Sequence, residues 1–444
     1  MSWATSFRIR QYLRGSLWVL PLLGGLLGAT LGGVDTLIDK SIHLPASLMY
    51  SSSTATTVLS TLIGAAAALT GFVVTVTVLV VQMATGTFSA RYMRLWYRDP
   101  MLKWLLALLI GTLAFSFGLL RRVTSNFVPN LGVSIAGLLL VLSLLLFMLF
   151  LDRYLHRLRP VAVATLVAGY VHREFTQLRG EATDMPEVFA GVFESDGQQP
   201  TLTVRSARAG AIQAIDAKGL AQWARRHDCL VVLRRRVGDF IPADAVLFDI
   251  FGGAPLGSGS DERRLRGMVA LGTERTVEQD PAFAIRIMVD IADKALSAAI
   301  NDPTTAVQVL DHLEEVLRVI GATDLRGRQS PADGEPRRGL VMPVRTWEQY
   351  LSLGVTEIRE YGATSIQVMR RLRAMLEELR RDIRPENRSA VDEELVRLDT
   401  TVAGTFGSSP DLDRAGVADT QGIGGEVPPL SHAGLVGKHA PGEA

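Results

Sequence analysis

From Ser41 to Ala90 the chain runs for 50 residues without an Asp, Glu, Lys or Arg. One helical crossing of a bilayer core takes about 20 apolar residues. Three more charge-free runs follow the same rule: Gly15–Val34, Trp104–Leu120 and Val123–Leu151. Together they predict four transmembrane spans, at about 16–36, 57–83, 102–120 and 131–151. The first is not expected to be a cleaved signal, because it lacks an A-x-A-like site and three further spans follow.

Basic residues orient the spans. Arg8, Arg10 and Arg14 precede the first, Arg91, Arg94, Arg98 and Lys103 lie between the second and third, and Arg153, Arg157 and Arg159 follow the fourth. The opposite loops hold Lys40, Arg121 and Arg122. Ten against three puts both termini in the cytoplasm. Asp35 and Asp39, at the outer end of span 1, are expected to pair with Arg121 and Arg122 or to be solvated, the alternative being a ring at a pore entrance.

Along span 2, Ser60, Gly64, Ala67, Gly71, Thr75, Val78 and Gln82 recur every three or four positions and put small and weakly polar groups on one face. Such a face lets helix backbones approach closely and hydrogen-bond across. It reads either as a helix seam, within one subunit or between subunits, or as a pore lining in an oligomer. No span has a central charge of the kind that marks proton relays and voltage sensors.

Charge divides the chain. Residues 1–160 hold 13 Lys/Arg and 4 Asp/Glu, a net of +9, and the remainder holds 33 and 41, a net of −8. That excludes an overall basic nucleic-acid binder. Cys229 is the only cysteine, so a disulfide-stapled fold is excluded too, and its apolar flanks mark a buried, inert thiol.

The rest is expected to be cytoplasmic, making the fold class α+β: a four-helix transmembrane region (1–160), a small β-rich, barrel-sandwich-like domain (161–274), a helical domain (275–404) and a disordered tail (405–444). Short β-rich runs fill 187–272, and Val237–Leu247 has the turn-and-strand form of small barrel-sandwich domains. Helices are read at 217–227, 281–297, 303–320, 345–358, 364–382 and 385–401. The arginines at 370, 371, 373, 380 and 381 read as a solvated face, with attraction of an anion or lipid headgroups as the alternative.

The densest stretch is Arg275-Thr276-Val277-Glu278-Gln279-Asp280-Pro281, followed by a helix and then Ile300-Asn301-Asp302-Pro303. Each Asp-Pro pair reads as N-cap then N1. Ile285, Met288, Ala292 and Ala295 form the core face of the first helix, and Arg286, Asp290 and Lys294 a charge ladder with Asp293 beside it. Asp290, Asp293, Asn301, Asp302 and Asp311 also admit an oxygen-rich cation site, although their spacing matches no strict ligand motif. No metalloprotease, hydrolase or P-loop motif is present, and no cofactor or catalytic residue is indicated.

Two of these segments resemble a family of predicted bacterial membrane proteins, the domain of unknown function 2254. They are Val80–Arg91 and the run from Arg275-Thr276 through Gln279-Asp280, Asp290-Ile291-Ala292 and Ala295-Leu296-Ser297 to Ile300-Asn301-Asp302-Pro303. The chain departs from the family pattern at Ala90 and Ala298, where Pro is usual. The resemblance implies a membrane part with a cytoplasmic domain and assigns no activity. The reading that follows is a multi-pass protein of the bacterial inner membrane, with the lipid bilayer and further copies of itself as partners, acting as a channel or transport-like conduit with a cytoplasmic regulatory domain. Its rivals are a membrane-anchored scaffold or signalling protein and, third, a metal-dependent enzyme using Asp290, Asp293 and Asp302.

Overall fold

The computed structural model describes residues 2–39, 49–87, 99–157, 160–184, 188–191, 193, 197–253, 259–325, 338–407 and 410–424. It is a mixed α+β chain in two compact units: Met1–Val163 with Ala214–Asp216 and Arg263–Leu271, and the remainder.

The first unit is built on α1 (Trp3–Gly15), α2 (Val19–Asp39), α3 (Ser52–Thr87), α4 (Pro100–Leu120) and α5 (Asn130–Arg157). Among the described residues α3, α4 and α5 are long and apolar enough to cross a membrane, and α1 with α2, bent by 74° at their junction, makes a fourth candidate. α3, α4 and α5 answer to three of the four expected spans; the first expected span corresponds to the bent α1–α2 pair, which counts as a crossing only if the pair is one span. α4 is the central helix, with Leu102, Leu105, Leu109 and Leu119 buried, and α2, α3 and α5 pack against it. The outer surfaces carry exposed large apolar side chains, such as Leu26 and Leu27 on α2, Phe72 and Leu79 on α3, and Leu138 and Met148 on α5. Such a belt would drive a soluble protein to aggregate, whereas it suits contact with lipid tails.

The tight helix seam lies between α2 and α4. Gly24, Gly28 and Gly32 recur every fourth residue. A Cβ at Gly24 would overlap the Ala107 carbonyl, one at Gly28 the Gly111 carbonyl, and one at Gly32 would stand 2.9 Å from the Phe115 oxygen. The backbones therefore touch as small-xxx-small packing allows. At the end of α2, Arg122 Nη1 donates to the Gly33 carbonyl at 2.9 Å. The side chains of Asp35 and Asp39, its expected partners, lie outside the described residues.

α6 (Pro160–Asp184) leads into the β part: β1 (Val188–Ala190), β2 (Leu202–Arg205), β3 (Gly210–Ile215), α7 (Ala217–Arg226), β4 (Cys229–Leu233), β5 (Phe240–Ile241), β6 (Val246–Gly252), α8 (Gly259–Arg266) and β7 (Val269–Gly272). One mixed sheet has the order β1-β8-β4-β6-β2, where β8 (Gly339–Met342) runs parallel to β1 and β4. The second has the order β5-β3-β7. β4 (Cys-Leu-Val-Val-Leu) is buried throughout, as a central strand should be. β5 and β6 fall in different sheets, so Val237–Leu247 is a crossing between sheets and no barrel-sandwich unit is shown. Buried Asp249 on β6 is satisfied by Arg234 at 2.6 Å and Thr203 at 2.8 Å.

The helical part comprises α9 (Pro281–Leu296), α10 (Pro303–Gly321), α11 (Trp347–Tyr361), α12 (Ile366–Asp382), α13 (Arg388–Phe406) and α14 (Leu412–Ala415). The expected core face of α9 is buried at Ile285, Met288, Ala292 and Ala295. Two readings change here. Arg370 and Arg371 are buried: Arg371 holds Asp311 at 2.8 Å and Glu314 at 2.6 Å. The expected tail from 405 begins with ordered chain. Fully buried Asp419 accepts the N–H groups of Gln421, Gly422 and Gly424 at 2.8–3.1 Å, and Arg370 Nε donates to the Val417 carbonyl. Apolar periodicity cannot register a strap of this kind, because backbone hydrogen bonds to one carboxylate hold it.

Candidate functional site

All three Asp-Pro pairs in the sequence start helices: Asp99-Pro100, Asp280-Pro281 and Asp302-Pro303. The last two are built alike. A residue of positive φ precedes each, Gln279 at 54° and Asn301 at 48°. The aspartates themselves hold φ −129°, ψ 77° and φ −116°, ψ 79°. Left-handed non-glycine residues carry strain, which the fold around them must offset.

The two caps differ in how they satisfy their carboxylates. Asp302 accepts the Thr305 N–H at 3.1 Å on one oxygen and the Thr305 hydroxyl at 2.5 Å on the other. At the first cap the corresponding residue is Phe283, so only its N–H is offered, at 3.1 Å to Oδ1. Oδ2 of Asp280 is buried and has no hydrogen-bond partner among the described residues. It lies against Gly238, which has φ 90° and where a Cβ would overlap that oxygen. Burial pushes the Asp280 carboxyl up to about 6; the Phe283 N–H and the charges of Arg345 and Arg275 pull against this, and Asp239 adds to it.

A second cluster sits between α9 and α11. Arg286 Nε contacts Asp290 at 2.6 Å, its Nη2 contacts Asp293 at 3.3 Å, and its Nη1 pairs with Glu357. Three carboxylates thus share one guanidinium. Oδ1 of Asp293 is buried, and no donor among the described residues meets it. Burial first, then a hydrogen bond and repulsion from Glu357, raise the Asp293 carboxyl to about 7, since two facing carboxylates make that bond only when one carries a proton. Glu357 was not foreseen: it comes from a helix some sixty residues on, and no local spacing announces it.

The oxygen ligands that the sequence offered for a cation are not brought together. Asp290 and Asp293 hold Arg286, Asp302 holds Thr305, Asp311 holds Arg371, and Asn301 is exposed. Among the described residues no group of three acidic, His or Cys side chains could hold a metal ion. Arg275 is exposed, beside buried Thr276. Cys229 is fully buried, and burial followed by the charge of Asp228 pushes its thiol up to about 12, consistent with an inert group.

In the membrane unit Ser60, Gly64, Ala67, Gly71, Thr75 and Gln82 are all exposed. A Cβ at Gly64 or Gly71 would meet nothing within 4 Å. α3 packs onto its own subunit through the other face, with Ala55, Leu59, Ala66 and Val73 buried. A seam within one subunit is therefore not what the small-residue face makes. That role belongs to Gly24, Gly28 and Gly32, whose four-residue spacing was the available signal. Of the Val80–Arg91 segment, the side chains of 84–87 and all of 88–91 lie outside the described residues.

The chain is similar to proteins known only as uncharacterised. Uncharacterized protein Rv1290c of Mycobacterium tuberculosis (strain H37Rv), MT1328 of M. tuberculosis (strain CDC 1551) and Mb1321c of M. bovis are each 31% identical over 413 residues, covering 87% of this chain and 76% of theirs. No solved structure matches it. A family model described as "Predicted membrane protein (DUF2254)" matches residues 14–378. With that match and a set of long apolar helices sheathed in exposed Leu, Val and Phe, the chain belongs to the DUF2254 family of predicted membrane proteins.

Proposed function

We propose that this membrane protein assembles with copies of itself through the small-residue face of α3, and that the gathered faces line a conduit across the bacterial inner membrane. The exposure of Ser60, Gly64, Ala67, Gly71, Thr75 and Gln82 supports this reading, with open space at Gly64 and Gly71. The Thr75 hydroxyl donates to the Gly71 carbonyl at 2.9 Å, so this part of the face is weakly polar yet internally satisfied. Such a surface can close on a neighbouring helix or border water. In this reading both termini are cytoplasmic and the second unit regulates the conduit.

The test is purified protein, sized in detergent and then fused into planar bilayers. The wild type should be oligomeric and conduct. Gly71→Leu should weaken assembly, and Gln82→Lys should shift selectivity toward anions, because rings of charge set selectivity. A monomer that passes no current would end the conduit reading in favour of a membrane-anchored scaffold.

A further inference from the structure

Helix α1 has two opposed faces. Trp3, Ala4 and Phe7 pack on Ala214 and Ala270, and the Ala4 N–H donates to the Gly267 carbonyl at 2.9 Å. At about 100° per residue, Ile9, Tyr12 and Leu13 fall on the side away from that contact. All three are exposed, Tyr12 at 59%. Arg8 and Arg10 border this apolar stripe on either side. α1 contains no acidic residue, and among the described residues no carboxylate pairs with Arg8, Arg10 or Arg14.

Both ends of the helix are pinned. Ser2 caps its N-terminus. At its other end Lys103, buried at the start of α4, donates from Nζ to the Arg14 carbonyl. α1 and α2 meet at a bend of 74°, so the two helices run in nearly perpendicular directions. Exposed Trp18 stands at the bend, a position that suits an interfacial aromatic.

We infer that α1 is an in-plane interfacial helix that binds anionic phospholipid headgroups: Ile9, Tyr12 and Leu13 enter the headgroup–acyl boundary and Arg8 and Arg10 reach the phosphates. Its opposite face holds the segments Ala214–Asp216 and Arg263–Leu271, which belong to the same compact unit. The helix thereby links the lipid surface to this β-rich piece of the fold. An apolar stripe bordered by arginines on a helix continuous with an apolar segment is the pattern of interfacial helices.

Buried Cys229 leaves the full chain open to single-site labelling. Nitroxides at Ile9→Cys and Leu13→Cys are read in vesicles of phosphatidylglycerol or of phosphatidylcholine alone, by collision with oxygen against a water-soluble nickel complex. In phosphatidylglycerol both labels should report headgroup depth. Replacing Arg8 and Arg10 by Gln should move them toward water, by about five-fold per arginine in the ratio of seated to lifted helix, and pure phosphatidylcholine should do the same to the unaltered arginines. Labels open to nickel in phosphatidylglycerol would overturn the inference. So would labels shielded from both reagents in every lipid and coupled to each other, which would mean that a second copy covers the face.

Discussion

At the scale of single residues, Asp280 and Asp293 each hold one buried carboxyl oxygen that no donor among the described residues meets. Oδ2 of Asp280 is orphaned because position 283 is Phe, where the equivalent position of the second cap is a threonine. Gly238 is what lets that oxygen fit. Gly238→Ala adds both a clash and a side chain at φ 90°, and should cost about 1–3 kcal/mol. Asp280→Ser keeps a capping oxygen on a shorter side chain. In that background the alanine should cost less, with a coupling above about 0.5 kcal/mol by denaturant unfolding; strict additivity would deny the contact. Asp293 yields a pH prediction. Its folded pKa of about 7 lies above the roughly 4 of a free carboxyl. The folded protein therefore binds the extra proton in that interval, and this contribution to stability, full below about pH 4, is lost as pH rises through about 7. Asp293→Asn should raise stability at pH 8 by on the order of 1–3 kcal/mol and leave it little changed near pH 4. Melting curves of the two proteins that run parallel from pH 4 to 8 would rule this out.

At the scale of elements, two helices carry glycines at near-helical repeat and use them oppositely. Gly28 on α2 lies against the backbone of Gly111, and Gly64 on α3 faces open space. Gly28→Leu should therefore separate α2 from α4 and lower the melting temperature of the detergent-solubilised protein, while Gly64→Leu should leave the fold of each subunit intact and act only on assembly. Equal damage from both would place the α3 face inside the subunit after all. Sequence periodicity singled out the α3 face, and the repeat of Gly24, Gly28 and Gly32 offered the same kind of signal without being read. Periodicity could not tell which face meets its own subunit, because spacing reports that a helix face is small and not what lies opposite. The Asp-Pro starts and the core face of α9 were legible for a different reason: N-cap chemistry and 3.6-residue periodicity are local. Glu357, β8 and the Asp419 strap were illegible because each depends on a partner distant in the chain. α12 shows the same limit, since its arginines read as a solvated face until Asp311 and Glu314 of α10 are brought against Arg371.

At the scale of the whole molecule, the question is how the chain threads the bilayer. Three helices qualify alone as crossings, and α2 qualifies only together with α1 across the 74° bend. If α2 crosses, four spans put the N-terminus and the β-rich part on the same side; if it is re-entrant, three spans put them on opposite sides. The basic flanks, ten on one side against three on the other, argue for four spans with that shared side cytoplasmic. Because Cys229 is buried, an impermeant maleimide applied to intact spheroplasts can distinguish these cases. Cysteines placed at Arg10, Asn126 and Ala209, all exposed, report the N-terminal helix, the α4–α5 loop and the β-rich part. Four spans require labelling at Asn126→Cys alone, with Arg10→Cys and Ala209→Cys reacting only after permeabilisation. Three spans require Arg10→Cys to react from outside together with Asn126→Cys. In that case α1 would sit on the outer leaflet, and Arg8, Arg10 and Arg14 would break the rule that fixed the orientation. Reaction at Ala209→Cys in sealed spheroplasts would overturn the whole assignment, because the segment that follows α5 would then be outside the cell.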